Sequence, residues 1–501
     1  LYALFSGWGV PAQRTVWMMA VVVGLRLSAR DWHWRTVWAL AAAVVLALDP
    51  WALLQPGFWL SFVAVGVLLA TGQPADRSQR TVVDVLCTEQ VPAPRWPWRA
   101  QLSGVWARLR GLLREQAVVT LALMPMSLLF FGQVSVVGLL ANLVAIPWVT
   151  LLVTPLALLG VLLPLAWDAA MACLQPLAVF LAWLAAWPGA SWQVPMPPWP
   201  LAALAVAGAA MLWWPGPWSW RLWGLSLMGP ALFWSPQRPA EGAFDVLAAD
   251  VGQGNAVLVR TAHHSLLYDT GPRYSPESDA GHRVLLPLLA RHAERLDVLM
   301  LSHRDSDHTG GAASVLAMQP QARLWSSLEP SHPLWRGRVG QRCEAGQSWW
   351  WDGVYFEVLH PLAQDHALAR KSNALSCVLR IQGRTGSAVL AGDIEAAQER
   401  EWLGRGVAPV DFWLVPHHGS KTSSSPELLQ ALQPAVAVAQ AGYRNRFGHP
   451  APSVVQRYRA AGVAWLDSSH CGAVTWRSDA PRHWRCERQD KPRYWHHMPA
   501  P

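Results

Sequence analysis

The chain has 501 residues, of which 52% are hydrophobic and only 14% charged, with a formal net charge of +8. Charge that sparse falls well below the norm for soluble domains and excludes an ordinary soluble protein over the whole length; the length itself leaves room for about two to four domains. Lysine occurs only at Lys371, Lys421 and Lys491. The arginine excess suits phosphate partners and anionic membrane surfaces, although a GC-rich base composition accounts for it equally simply.

From Leu1 to about Pro236 the sequence is Leu, Ala, Val, Trp and Pro with few charges. Apolar runs fall at 16–30, 36–49, 57–71, 116–131, 134–163, 168–187, 201–214 and 221–234. A spanning helix needs roughly 20 apolar residues, so the longer runs are predicted spans and the shorter ones re-entrant or bundle-core helices. The run 134–163 exceeds one span and holds Pro147 and Pro155, which predicts a kinked helix or two pieces broken at a proline. Among 33 tryptophans, Trp32, Trp34, Trp213, Trp214, Trp218 and Trp220 stand at run ends, as in an interfacial aromatic belt. Residues 72–115 form an arginine-rich connector (Arg77, Arg80, Arg95, Arg99, Arg108, Arg110 and Arg114). The positive-inside tendency places it in the cytoplasm, and counting five spans after it puts the following domain on the outer side. Gln133 and Asn142 in apolar surroundings, with Arg14 and Arg26 at the first run, are expected to line a path or sit at interfaces. Starting at Leu1 with no signal-peptide pattern, the sequence reads as a fragment.

From about Ala240 the sequence changes to soluble character. "FDVLAADVGQGNAVLVR" predicts two strands around a Gly turn, "HSLLYDTG" a short strand ending in an acid, and "LDVLMLSH" a buried strand ending in polar residues. "SAVLAGD" and "DFWLVPHHGS" repeat that pattern, and helices are predicted near 311–318, 395–403 and 426–432. Alternating strands and helices indicate α/β layering, with polar residues gathered at strand C-terminal ends, the usual site edge. Of six cysteines, Cys343, Cys377, Cys471 and Cys486 lie in this half, and Cys87 and Cys173 in the other. An even number permits disulfides in an oxidising compartment, with Cys471 and Cys486 the best-placed pair; free buried thiols are the preferred expectation.

The densest chemistry is "LSHRDSDHTGG", with His303, Asp305, Asp307 and His308 following a strand end. A polar loop rarely carries so many ligand-type residues; the spacing predicts a metal loop, and Gly310 and Gly311 are expected to let the backbone turn tightly into a helix. Asp393 in "LAGD" is a candidate bridge between two ions. His417 and His418 in "VPHHGS" offer imidazole. Asp269 in "YDTG" is a candidate to orient ligands from behind. "DVGQGN" is not a P-loop, since no GxxxxGK[ST] follows.

These residues carry a resemblance. Residues from about Phe244 to Thr475 look like a metallo-β-lactamase-fold domain, whose HxHxDH loop matches His303, Asp305, Asp307 and His308. "LYALFSGWGVPAQRTVWMMA", "DPWALLQPGFWLSFVAVGVLL" and "NLVAIPW", with "DVGQGN", "KSNALSCVL", "HHGSKTSSS" and "NRFGHP", resemble the ComEC family of DNA-uptake channels. The resemblance implies a polytopic α-helical membrane domain (1–236), an αββα metallo-β-lactamase-like domain (240–480) and a basic aromatic tail (481–501). It also implies an N-terminal oligonucleotide-binding-like segment and further helices that this sequence does not contain. Three positions depart from the pattern. Asp305 replaces the middle histidine. The next expected histidine has no clear counterpart: His360, followed by Pro, looks like a strand-end residue, and Asn373 in "KSNALS" lies nearer the place. Asn255 stands where an acid is common, while Asp250 remains. More oxygen donors favour harder ions, so Mn or Mg competes with Zn, as one ion or two.

The function so implied is an inner-membrane, multi-pass channel that imports single-stranded DNA during natural transformation, fused to a metal-dependent nuclease. Its partners would be DNA, the lipid bilayer and the competence DNA-uptake machinery, with a homo-oligomer left open. Two ions about 3.5–4 Å apart would clamp the attacking and leaving oxygens of a phosphodiester. Asp307, His449 in "GHP" and Lys421 are the candidate catalytic residues, and Tyr443, Arg444 and Asn445 the candidate substrate contacts. The rival readings are a DNA-guiding module with a weak metal site and a membrane-anchored hydrolase of another ester. A β-lactamase proper is disfavoured, because those are separate secreted domains.

Overall fold

The computed structural model describes residues 2–493 except 6, 29, 31, 72–96, 188, 214, 215 and 369, together with 496. Much of the arginine-rich connector (Arg77, Arg80 and Arg95 among it), Cys87 and Trp214 therefore lie outside the described residues. The chain divides into two units, Leu1–Ser235 and Pro236–Pro501.

Each apolar run of the first unit overlaps a helix, at Val10–Leu27, Trp34–Leu48, Pro56–Thr71, Pro97–Phe131, Gly138–Leu159, Leu165–Ala185, Trp199–Trp213 and Trp218–Leu232, several runs extending a few residues beyond the helix end. Among the described residues three stretches are long and apolar enough to cross a bilayer: Leu113–Phe131, Gly138–Leu159 and Leu165–Ala185. The run with two prolines is neither broken nor split in two. Pro155 has no N–H to donate back into the helix, and a π-helical turn over Val149–Val153 absorbs the defect between Pro147 and Pro155. Gln133 lies outside any span, exposed on a short strand Gln133–Ser135 paired antiparallel with Ser191–Gln193. The last two helices pack through glycine. A Cβ on Gly208 would sit 2.4 Å from the Gly224 carbonyl oxygen, and one on Gly224 2.6 Å from that of Gly208, so only small residues permit this approach. Arg14 is buried at 6% exposure, its guanidinium hydrogen-bonded to the Gln55 side-chain oxygen.

The second unit is two β-sheets face to face with helices outside. Its main strands are β1 (Asp245–Ala248), β2 (Val257–Arg260), β3 (Ser265–Tyr268), β4 (Val298–Leu301), β5 (Arg323–Ser326), β6 (Gly340–Arg342), β7 (Ser348–Trp351), β8 (Val354–His360), β9 (Val378–Gln382), β10 (Ser387–Leu390), β11 (Phe412–Leu414), β12 (Val436–Ala439), β13 (Ala464–Asp467), β14 (Val474–Arg477) and β15 (Trp484–Cys486). One sheet runs β6-β5-β4-β3-β2-β1-β14-β15 and the other β7-β8-β9-β10-β11-β12-β13. The central strands β2, β3, β4, β10, β11 and β12 are short and buried on both faces, so they read as apolar runs rather than alternating patterns. Between the sheets lie Phe244, Val246, Met300, Phe356, Leu379, Phe412 and Trp476. Helices 286–292 and 312–318 cover the outside of the first sheet through Leu289, Val315 and Leu316, and helices 396–403, 426–432 and 452–460 cover the second through Trp402, Leu428, Leu432 and Val454. This is the αββα layering of the metallo-β-lactamase fold.

Two sequence expectations change here. The four cysteines of this unit are not free thiols but two disulfides, Cys343–Cys377 and Cys471–Cys486; separations of 34 and 15 residues hid the first pairing, which depends on how the sheets stack. The domain also does not stop at 480. Trp484–Cys486 pairs with β14 as an edge strand, so the first part of the basic aromatic segment belongs to the sheet.

Candidate metal centre

The site forms where β4, β10 and β11 end. β4 delivers Ser302 and His303, after which the chain turns through Asp305 into a short helix, Ser306–Thr309, carrying Asp307 and His308. Gly310 and Gly311 do not make that turn by unusual torsions: their φ values are −58° and −91°, open to any residue. Their need is space. A Cβ on Gly310 would lie 2.2 Å from the Arg273 nitrogen, and one on Gly311 2.4 Å from the Gly281 nitrogen. Gly254 closes the loop from the other side, since its Cβ would meet the Asp307 carbonyl oxygen at 2.2 Å. The strained positions are elsewhere: Asp269, His417 and His418 have φ of 59°, 50° and 53°. Non-glycine residues there cost on the order of 1–3 kcal/mol each, and such strain concentrates at functional sites.

Hydrogen bonds settle which nitrogen each histidine presents. Asp269 is wholly buried; it accepts from the Ser302 N–H at 2.7 Å and the Ser302 hydroxyl at 2.8 Å, and lies 2.8 Å from His308 Nδ1. The carboxylate accepts the Nδ1 proton, so Nε2 of His308 carries a lone pair, 3.2 Å from Asp393 Oδ1. His418 donates from Nδ1 to the Gln440 carbonyl at 2.8 Å, leaving its Nε2 3.2 Å from Asp307 Oδ2 and 3.5 Å from Asp393 Oδ2. His303 Nδ1 lies near the hydroxyls of Ser302 and Ser376, at 3.0 and 3.4 Å, and its Nε2 is 3.7 Å from Asp305 Oδ2. Nε2 of His303, His308 and His418 and Oδ1 of Asp393 are buried without a hydrogen-bond partner. Acceptors aimed at one another out of water require a cation between them. In this cluster two groups have ligand atoms within 4.8 Å of one another: His303, His308 and Asp393, and Asp307, His308 and His418. They share His308, and their mixed nitrogen and oxygen donors fit a divalent metal.

The electrostatics agree. Burial alone would raise the Asp393 carboxyl, but the imidazoles of His308 and His418 hold it well below the usual range. Burial would likewise raise Asp307, yet the facing imidazoles of His418 and His308 bring it to about 2. Burial opposes charge on His308 and His418, but Asp393 and its neighbours push both imidazoles above their ordinary value, so the pocket favours positive charge.

The other predicted residues are placed as follows. Asp305 is nearly half exposed at the mouth, 3.7 Å from His303. His417 points its Nε2 to within 3.9 Å of Asp393 and 3.5 Å of the Asn373 side-chain nitrogen, while Thr422 takes its Nδ1. Of the adjacent pair, His418 is the inner residue and His417 the outer. His449 stands beside the mouth, its ring 5.8 Å from that of His417, and Phe447 stacks on it at 14°. Arg444 lies over the exposed Tyr443 ring, 5.2 Å from its centroid, and Arg446 over Phe447, forming a basic aromatic lip. Asn445 holds that lip together: its amide donates to the carbonyls of Gly442 and His449, and its oxygen accepts from the N–H groups of Phe447 and His449. Lys421 is exposed, three positions beyond His418. Asp250 is engaged elsewhere, by Arg488 at 2.8 Å and the Gly252 N–H. His360, at the end of β8, approaches the Ala374 carbonyl at 2.9 Å, and its acidic neighbours Asp365 and Glu401 are bridged by Arg370 at 3.0 and 3.1 Å. That cluster is filled by a guanidinium.

Sequence reasoning missed Ser302, Ser376 and Gln440, which hold the ligands from behind. Ser302 directly precedes the metal loop and Ser376 lies within "KSNALS", so both had a local signal; Gln440 acts through its backbone carbonyl and had none. Its side chain also ties β12 to the "DVGQGN" turn, donating to the carbonyls of Ala249 and Ala256 and accepting from the Ala256 N–H.

Comparison with known proteins agrees with this geometry. Residues 1–219 match the Competence protein family and residues 249–442 the metallo-beta-lactamase superfamily. The chain therefore carries a competence-protein domain followed by a metallo-beta-lactamase domain. It is 34% identical to Competence protein ComA of Neisseria gonorrhoeae over 94% of this chain and 63% of that protein. It is 31% identical to protein YcaI of Escherichia coli over 99% of this chain and 63% of that one, and 28% identical to Recombination protein 2 of Haemophilus influenzae over 95% and 61%. The chain thus spans a little over three-fifths of the length of these curated relatives.

Proposed function

We propose that the protein is an inner-membrane channel that internalises single-stranded DNA for natural transformation, and that its second unit is a metal-dependent nuclease acting on DNA phosphodiesters. The observation that carries this reading is the union, in one chain, of a competence-family helical unit with a buried cluster whose unpaired donors converge on cation positions. In the proposed site His303, His308 and Asp393 would hold one divalent ion, with Asp307 and His418 the donors available to a second and Asp305 at the mouth. Bound there, the metal would activate water and neutralise phosphate charge. The protein's own contribution is orientation: Asp269 and Gln440 fix the two inner imidazoles, and Asn445 holds the lip. His449, beside His417 at the mouth, is placed to protonate the departing oxygen, and Tyr443 and Arg444 to receive the strand.

The two disulfides support an oxidising, periplasmic-side location for this unit, in accord with the charge distribution of the connector. The test uses the full chain in detergent micelles with single-stranded DNA and added Zn or Mn. Metal-dependent cleavage is expected, lost on chelation and reduced at least about 100-fold by Asp307→Ala. Undiminished cleavage by Asp307→Ala would refute the nuclease. A second reading, a DNA-guiding module, is favoured by Asp305 and Asn373 standing where the fold usually has imidazole. It predicts one ion or none per chain and binding of DNA without cleavage.

A further inference from the structure

A cleft of about 480 Å³ opens between the sheets at the end of the sandwich away from the metal loop. Its walls come from the first residues of β4 and β5 and from the edge strand β7, and include His264, Gln321, Arg323, Trp325, Trp349 and Trp351. β4 separates it from the metal site: from Val298 to His303 is five residues, about 16 Å at ~3.3 Å per residue.

The walls are planar and aromatic. Trp325 and Trp349 have ring centroids 4.6 Å apart at 57°, and Trp349 and Trp351 5.7 Å apart at 69°. His264 stacks flat on Trp351 at 5.0 Å and 8°. The alternation of β7 sends Trp349 and Trp351 toward the inter-sheet core and leaves Trp350 on the other face, 67% exposed, beside Tyr355.

The polar groups are divided unevenly. Asp297, the carboxylate among the lining residues, accepts from the Ser265 N–H, and Asp352, which contacts the lining residue His264, is taken up by Thr261, His263 and His264. The Arg323 side chain is exposed and makes no hydrogen bond or ion pair among the described residues, and the Trp349 indole N–H is buried without an acceptor. A cleft with angled aromatic walls, an unmet buried donor and an unpaired cation at its rim suits a flat heteroaromatic ring joined to an anion. A hydrocarbon would leave the indole N–H and the guanidinium unanswered. Sugars stack on single tryptophan faces too, but a neutral sugar gives the guanidinium no counter-charge.

We infer that this cleft is a second nucleic-acid contact, in which a base of a single strand stacks among Trp325, Trp349 and Trp351 while Arg323 meets the adjoining phosphate. The inference rests on the reading that the protein handles DNA, and it gives the second unit a holding point separate from its metal site. Duplex DNA is excluded by the same chemistry, because its bases are already stacked.

The test is photocrosslinking of a twelve-nucleotide single strand containing one 5-iodouracil to the full chain in detergent, with adducts mapped by peptide mass spectrometry. Adducts at Trp325, Trp349 or Trp351 are expected, diminished roughly tenfold by Arg323→Glu, whose exposed position leaves the melting temperature unchanged. An abasic strand of equal length should bind about tenfold more weakly. Adducts confined to the metal mouth, equal binding of the abasic strand, or displacement by a neutral oligosaccharide would each overturn the cleft while leaving the proposed DNA-uptake function standing. Failure of the full chain to bind any single strand would overturn both.

Discussion

In the helical unit Leu151, Leu162, Val179 and Trp199 are 70–81% exposed, whereas in the sandwich Trp413, Trp476, Phe356 and Leu379 are wholly buried. Both regions are rich in apolar residues; they differ in where those residues go. The helix Gly138–Leu159 buries almost nothing against its own unit, so its apolar surface is matched only by a hydrocarbon solvent. The sandwich satisfies itself, with three internal layers, two disulfides and a polar cluster confined to one strand end. The first unit's stability is therefore a property of protein plus bilayer, and the second's a property of the chain.

Substitutions separate the two cases. Trp413→Ala should cost the second unit about 3–5 kcal/mol, read by denaturant unfolding, with membrane insertion unchanged; a small effect would mean that the layer beneath helices 426–432 and 452–460 is looser than its burial indicates. Val179→Arg, on an exposed face of Leu165–Ala185, should lower insertion by about 3 kcal/mol. Carbonate extraction checks this, and an unaltered membrane fraction would mean that face meets water. Removing the Cys471–Cys486 bridge by double Ser substitution should destabilise the sandwich by roughly 2–4 kcal/mol and leave insertion untouched, as thermal melting of the solubilised chain would report. Asp269→Asn should lower metal affinity about 10–100-fold without moving the melting curve by more than a few degrees, measured by metal titration.

Legibility in the sequence followed the range of the interaction. The helical runs, the strand leading to His303 and the helices 312–318, 396–403 and 426–432 were readable because their signals are local periodicity and turn chemistry. His308 and Asp393 were readable as ligand types, but not their shared position, which needs β4 and β10 to end at the same edge. The two glycines after the metal loop were visible for the wrong reason: a sequence shows that glycine is present, and only packing shows that a missing Cβ, rather than a free φ, is what the site uses.

By itself, then, the sequence determined the division into an apolar helical half and an α/β half, the ligand inventory and the departure at Asp305. Those follow from composition and short-range pattern. Only the tertiary structure decided that His418 rather than His417 faces Asp307, that Arg370 occupies the acidic cluster near His360, that Cys343 meets Cys377, and that three tryptophans from two sheets line one cleft. Each of these joins residues distant in sequence or selects between neighbours by their backbone torsions. Such choices are made by sheet stacking and strained turns, which leave no periodic trace in the chain.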